Sequence, residues 1–241
     1  SLHSPLAGES KSAKRDSVGG EANGGAKVTL LVHLGMSGSF RVDEAKKYTP
    51  KTHDHVLIAL ENGHIAVFHD PRRFGLMDLV ATDAAENHPL LAHLGPEPLE
   101  KAFSPTYLAA QLARRKGAIK PVLMDQKLVV GVGNIYASEA LFLAKIHPDN
   151  SAQAVVKQSK NIIDAVRVTL KAAIDSGGST LRDYVGAGGD SGYFQHRFQV
   201  YGRNGAPCFV CKTPIETCVQ AGRATYWCPH CQPVRGIRKK H

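Results

Sequence analysis

The chain has 241 residues, 43% of them hydrophobic, enough for one large domain or two modest ones, and it contains neither an apolar run long enough to span a membrane nor a visible signal peptide. Its formal charge is +9, from 30 Lys and Arg against 21 Asp and Glu, and the excess is uneven. From Gln199 to His241 there are seven basic residues (Arg203, Lys212, Arg223, Arg235, Arg238, Lys239 and Lys240) against one acid, Glu216, a balance that favours a polyanionic partner through phosphate neutralisation and counterion release.

Residues 1–26 are rich in Gly, Ser, Ala and Lys without a period and read as disordered or irregular. From Lys27 the pattern changes. Lys27 to Leu34 is β-branched and apolar, a buried strand. A turn, Gly35-Met36-Ser37-Gly38, leads into Phe40-Arg41-Val42. His55–Leu60 and His64–Phe68 flank Glu61-Asn62-Gly63, and Asn-Gly between apolar runs predicts a hairpin with both turn residues at positive φ. Leu76–Val80 is a further strand.

His93-Leu94-Gly95-Pro96-Glu97-Pro98 breaks this pattern, and helices follow. Ser104 caps Pro105–Ala113, with proline at the first helical position, and Arg114-Arg115-Lys116 gives a basic end. Lys120–Asp125 is a short helix, Asn134–Leu143 a second with Asn134 as N-cap, and Ser151–Asp175 a third with apolar residues at helical spacing. Tyr184–Gly192 is glycine-rich and reads as a mobile loop.

Cys208-Phe209-Val210-Cys211 and Cys228-Pro229-His230-Cys231 enclose sixteen residues, the spacing of a four-thiolate zinc site. Four sulfurs complete a tetrahedron and leave no position for substrate, so one Zn2+ is expected in a structural role. Disulfides are the alternative, but a chain without a secreted, cystine-rich character fits a reducing cytoplasm better. Cys218 is left over as a free thiol.

Four further features carry candidate chemistry. Leu128–Asn134 is a double-glycine turn feeding a helix, either an anion cradle or a tight structural turn. Asp70-Pro71-Arg72-Arg73-Phe74-Gly75 sets two guanidiniums beside an aromatic ring, suited to phosphate binding and base wedging or to a surface salt bridge. Leu34–Gly38 offers Met36 as an apolar wedge or as a core side chain. His53-Asp54-His55 places two histidines on one strand face, for a metal, a phosphate or a polar strand start.

The order of these motifs, from about Lys27 to Gln232, resembles the bacterial formamidopyrimidine-DNA glycosylases, base-excision enzymes for oxidised purines. The resemblance implies an α+β fold: a partial antiparallel β-sandwich (27–95), a helix–two-turn–helix domain (96–198), a four-cysteine zinc-finger β-hairpin (199–233) and a basic tail (234–241), with DNA in a basic cleft between the halves. It implies that His53, Arg72 and Lys116 contact the DNA backbone and that Lys120 and Asn134 contact phosphate. Met36, Arg72 and Phe74 would fill the void left by an extruded nucleotide and wedge the opposite strand. Arg223, five residues before Cys228, would donate a proton in the elimination and hold the damaged nucleotide's phosphates. Thr180–Tyr193 resembles the loop that closes over extruded 8-oxoguanine. The zinc ligands are Cys208, Cys211, Cys228 and Cys231. The implied partner is double-stranded DNA bearing oxidised purines or abasic sites, bound by a monomer in the bacterial cytoplasm, with no membrane.

In that family the nucleophile is an N-terminal proline amine followed by a glutamate. This chain begins Ser1-Leu2-His3, and Lys14 has no strand-like surroundings to mark it as the family's strand lysine. Two readings follow: a bifunctional glycosylase and AP lyase given as an N-terminally incomplete chain, or a damaged-DNA-binding fragment that keeps the clamp without the nucleophile. In either case the partial sandwich is expected to expose strand edges and apolar surface. A ribosomal or transcriptional zinc ribbon would explain the cysteines but not the turn motifs.

Overall fold

Short β-branched and apolar runs give the first part of the chain its strands, and the helical spacing of apolar residues after Leu94 gives the second part its helices. A computed structural model describes residues 20–21, 27–35, 37–177 and 197–234, and these divide into two compact units between His93 and Leu94.

The first unit holds two three-stranded antiparallel sheets. In one, β2 (Lys27–His33) lies between β1 (Gly20–Glu21) and β6 (Leu76–Ala81). The irregular segment expected before Lys27 thus contributes one short strand, Gly20–Glu21, paired with Val28 and Lys27; its other residues lie outside those described. In the second sheet, β5 (His64–His69) runs between β3 (Ser39–Glu44) and β4 (Asp54–Ala59). As the central strand it carries a continuous buried run, Ala66-Val67-Phe68, because neighbours cover it on both edges. The β4–β5 connection differs from the expected two-residue turn. Only Gly63 takes positive φ (79°), and its N–H donates to the Leu60 carbonyl, the longer form with a left-handed glycine closing the loop. Leu76 and Leu79 on β6 and Leu57 on β4 are exposed.

The second unit runs through α1 (Pro105–Ala113), α2 (Ile119–Leu123), α3 (Asn134–Leu143) and α4 (Ser159–Asp175) to a hairpin of β7 (Glu216–Gln220) and β8 (Arg223–Trp227). Ser104 Oγ accepts the Tyr107 N–H at 3.2 Å and Pro105 opens α1, as the sequence suggests. The single helix expected over 151–175 is a 3-10 segment, Ala152–Gln158, followed by α4. Asn134 is not the N-cap of α3. Gly133 holds that position with extended backbone, and the Asn134 side chain is drawn to the hairpin instead. The hairpin turns on Ala221 (φ 48°) and Gly222 (φ 74°), a pair of positive φ values that matches the twist of its strands.

The hairpin region is too small to bury a core of its own. Val200, Ile215, Cys208 and Cys228 share one with Phe142 of α3. Polar ties add to it. Glu139, buried at the middle of α3, accepts the N–H groups of Gln199 (2.8 Å), Val200 (3.0 Å) and Tyr201 (2.9 Å). Gln232, also buried, accepts the Cys228 N–H through Oε1 at 2.9 Å and donates through Nε2 to the Ile146 carbonyl at 2.8 Å. Burial pushes the Glu139 carboxyl pKa upward against the three donors that pull it down. Glu139→Gln would turn an amide toward one of those N–H groups, donor against donor. The expected loss is about 1–3 kcal/mol, read as a lower Tm and a lower denaturant midpoint with the zinc content unchanged.

Candidate nucleic-acid interface and zinc hairpin

In the sheet unit the candidate residues stand on the rim of the β3-β5-β4 sheet. His53 precedes β4 and is exposed, with φ at 76°, a conformation that costs a non-glycine residue energy unless its surroundings impose it. The neighbour imposes it. The Asp54 side chain is 1% exposed and receives Arg41 in a two-pronged pair (3.1 and 2.7 Å), Tyr48 Oη–H (2.9 Å), His69 Nδ1 (2.8 Å) and the Lys51 N–H (3.1 Å). The Arg41 hydrogen bond, with the others, outweighs burial and holds this carboxyl far below the usual carboxylate range. On the β5–β6 connection, Arg72 and Phe74 are both exposed, and the guanidinium lies 4.9 Å from the centre of the Phe74 ring. A cation stacked on a half-exposed ring presents a flat, charged and apolar surface suited to a phosphate and a base. Met36 lies outside the described residues.

In the second unit the hairpin meets the helices at Lys120. This lysine is 1% exposed, and its ammonium donates to Asn134 Oδ1 (2.5 Å), Thr225 Oγ1 (2.9 Å) and the Ala224 carbonyl (3.3 Å). Asn134 Nδ2 donates to the same Ala224 carbonyl (3.0 Å) and to Tyr201 Oη (3.3 Å). Three lysine N–H bonds and both amide N–H bonds are thus engaged within the protein, and they tie the N-terminus of α3 to the strand that carries Arg223. Arg223 itself is exposed, directly after the turn, and Lys116 is exposed beyond the end of α1. The segment 180–193 and Lys14 lie outside the described residues.

The sequence gives no warning of the Lys120 tie, whose partners on β8 lie 104 and 105 residues away. Glu139 had a signal: an acid within Ala137–Leu143, a run whose other residues are apolar apart from Ser138, has to be buried with donors around it.

The four thiols of Cys208, Cys211, Cys228 and Cys231 converge, with all sulfurs within 4.8 Å of one another. Separations of 3.4 Å (Cys211–Cys228), 3.5 Å (Cys211–Cys231) and 4.0 Å (Cys208–Cys231) exclude disulfides and match the edge of about 3.8 Å that a tetrahedron with Zn–S of about 2.3 Å requires. The donor set fits one structural Zn2+ with no open position. Cys218, exposed on β7, takes no part.

Antiparallel sheets, a helical unit with a glycine-turn helix entry, and a four-thiolate hairpin with an arginine beside its turn define a zinc-finger DNA-binding protein of the helix–two-turn–helix class. Residues 16–77 match the formamidopyrimidine-DNA glycosylase N-terminal domain, residues 94–185 its H2TH domain, and residues 205–234 the zinc finger found in FPG and IleRS. Formamidopyrimidine-DNA glycosylase of Legionella pneumophila (strain Lens) is 48% identical over 209 residues, which cover 86% of this chain and 76% of the relative. That of Cronobacter sakazakii is 50% identical over 204 residues, 84% of this chain and 75% of the relative. The MutM (Fpg) protein of Thermus thermophilus superposes with a TM-score of 0.76 at 42% identity, covering 87% of this chain and 77% of that one. The Lactococcus lactis Fpg in complex with abasic-site DNA gives 0.77 at 34% identity, covering 86% and 75%. The chain belongs to the formamidopyrimidine-DNA glycosylase family.

Burial lowers the Lys120 pKa to about 8. The unfolded chain, with an ordinary lysine near 10.5, therefore binds more protons than the folded one between these values. The Lys120 contribution to folding stability is then expected to rise as pH increases from about 8 toward 10, a slope that Lys120→Met should lack. Denaturant unfolding of both proteins at pH 7.5, 9 and 10 measures it; parallel curves would refute a Lys120 pKa lowered by burial.

Proposed function

We propose that this protein is a base-excision repair enzyme, a bifunctional DNA glycosylase that removes oxidised purines such as 8-oxoguanine and formamidopyrimidines and then cleaves the strand as an AP lyase. The observation that carries the reading is Arg223: an exposed guanidinium next to a positive-φ turn, on a strand held by the thiolate cluster at one end and by Lys120 and Asn134 at its middle. Such pre-organisation suits a charge that must meet a phosphate at a fixed place. The family memberships of both units and of the zinc finger support the same reading.

In this scheme the lesion nucleotide is extruded, since its C1′ can be attacked only outside the stack. Phe74 and Arg72, with Met36, occupy the void and wedge the opposite strand. His53 and Lys116 hold backbone phosphates, and Lys120 and Asn134 fix the strand from which Arg223 holds the damaged nucleotide's phosphates. An amine displaces the base at C1′, the C1′–O4′ bond of the resulting aminal opens with a proton passing to O4′ to give a Schiff base, and successive eliminations expel the 3′ and 5′ phosphates and break the strand, with Arg223 as proton donor. The four cysteines supply zinc-dependent shape and no reactive position. The protein works as a monomer on double-stranded DNA in the bacterial cytoplasm; among the described residues no helix is long and apolar enough to cross a membrane.

Borohydride reduction during reaction with an 8-oxoguanine duplex is expected to leave protein covalently joined to DNA, and peptide mapping of the adduct locates the amine. Binding without any adduct or strand cleavage would overturn the enzymatic reading. Arg223→Ala is expected to weaken lesion-duplex binding and to reduce the salt slope of log K by about one, with the bound zinc unchanged; equal affinity and slope would remove Arg223 from the phosphate. Stripping the zinc with a chelator should abolish lesion binding, because the hairpin's shape depends on the metal, and re-addition of Zn2+ should restore it.

A further inference from the structure

His53 lies on one segment of the sheet unit and Arg72 and Phe74 on another, yet the two segments meet at one buried residue that none of the roles above uses. Asp70 is 1% exposed. Its Oδ2 accepts the Gly75 N–H at 2.7 Å and its Oδ1 accepts the Ser37 hydroxyl at 3.2 Å. The backbone N–H groups of Arg72 and Arg73 face the same side chain and help to lower its pKa. The main chain of the same residue reaches the other way: its N–H donates to the His53 carbonyl at 3.0 Å, and its carbonyl accepts His55 Nε2–H at 3.0 Å and the Arg73 N–H at 3.3 Å. A carbonyl partner requires that His55 carry its proton on Nε2.

Two glycines allow this convergence. A Cβ at Gly35, which has φ at 64°, would stand 2.6 Å from the carbonyl carbon of Phe74. A Cβ at Gly75 would stand 2.3 Å from the Phe68 ring and 3.0 Å from Asp70 Oδ2. Loop 34–38, the approach to β4 and the 70–75 turn are therefore packed backbone against backbone around one carboxylate. Burial disfavours the charged form of Asp70, but the donors from Gly75, Ser37, Arg72 and Arg73 outweigh it and leave the carboxyl below its ordinary pKa.

We infer that Asp70 is a positioning residue that makes the phosphate grip of His53 and the wedge of Arg72 and Phe74 a single rigid body, so that closing on the backbone drives the wedge into the stack. This rests on the wedge reading given above. A turn cap with no further role would hold the 70–75 turn alone. Bonds to Ser37, His53 and His55 are what extend the residue's reach to the neighbouring segments.

The test uses the zinc-loaded protein, a duplex with a tetrahydrofuran abasic analogue flanked by 2-aminopurine, and the undamaged duplex. Asp70→Asn keeps the size but places an amide among donors. It is expected to lower the preference for the analogue duplex about tenfold, the scale of a lost hydrogen bond to a charged group, and to lower the 2-aminopurine response as Phe74→Ala does. Coupling predicts non-additivity: Asp70→Asn should add little to Phe74→Ala in fluorescence and little to His53→Ala in affinity. Full additivity with either partner would overturn the inference. If Phe74→Ala alone leaves preference and fluorescence intact, the wedge reading fails and this role for Asp70 fails with it; if Phe74→Ala abolishes both while Asp70→Asn changes neither, only the role of Asp70 is lost. Should Asp70→Asn not fold, Ser37→Ala removes a single bond to the same carboxylate and is expected to shift both signals in the same direction by a smaller factor; no shift would overturn the inference.

Discussion

A lysine ammonium can be kept in a protein interior only when each of its three N–H bonds finds an acceptor, since the cost of leaving one unmet in a low-dielectric site is far greater than in water. Lys120 meets that condition with one acceptor on α3 and two on β8. The consequence is geometric. The three acceptors are brought to one point, so the entry of α3 and the strand bearing Arg223 share a fixed separation, and the Asn134 amide closes the triangle by donating to the Ala224 carbonyl that Lys120 also uses. Everything exposed at this end of the unit is placed by a group that is itself hidden.

The sheet unit uses the opposite sign of charge to the same end. Asp54 collects an arginine, a tyrosine, a histidine and a backbone N–H, and thereby holds His53 in a left-handed conformation that the residue would not choose. Asp70 collects backbone donors from the turn that presents Arg72 and Phe74. In both units the exposed residues proposed to meet DNA stand beside residues that are buried, ionisable and well supplied with partners. Specificity of placement resides in the second group.

How much of this the sequence discloses depends on the range of the interaction. The cysteine knuckles are legible because metal geometry demands close pairs in sequence, and β5 is legible because a central strand needs its run of Ala66, Val67 and Phe68 to be apolar throughout. Local signals mislead where a distant partner competes for the same atoms. Asn134 has the chemistry of an N-cap, yet its side chain is taken by Ala224 and Tyr201, and Gly133 assumes the cap. Asn62-Gly63 suggests a two-residue turn, but the loop runs one residue longer and needs only the glycine at positive φ. The burial of Lys120 is illegible for the same reason: two of its three acceptors lie more than a hundred residues away.

The hairpin shows why metal and polar ties are both needed. Thiolates can fix the two knuckles relative to each other, but they say nothing about where the hairpin sits on the helices. That position comes from the other set: Phe142 beneath Cys208 and Cys228, Glu139 gripping the approach at 199–201, Gln232 bridging Cys228 to Ile146, and Lys120 at the far end. Two of these partners, Cys208 and Cys228, belong to both sets, so the shape set by the metal and the place set by the helices are coupled through the same buried sulfurs. A guanidinium on such a strand keeps its own rotamer freedom while the strand is held at one end and at its middle, and that is the property a phosphate contact of fixed register requires.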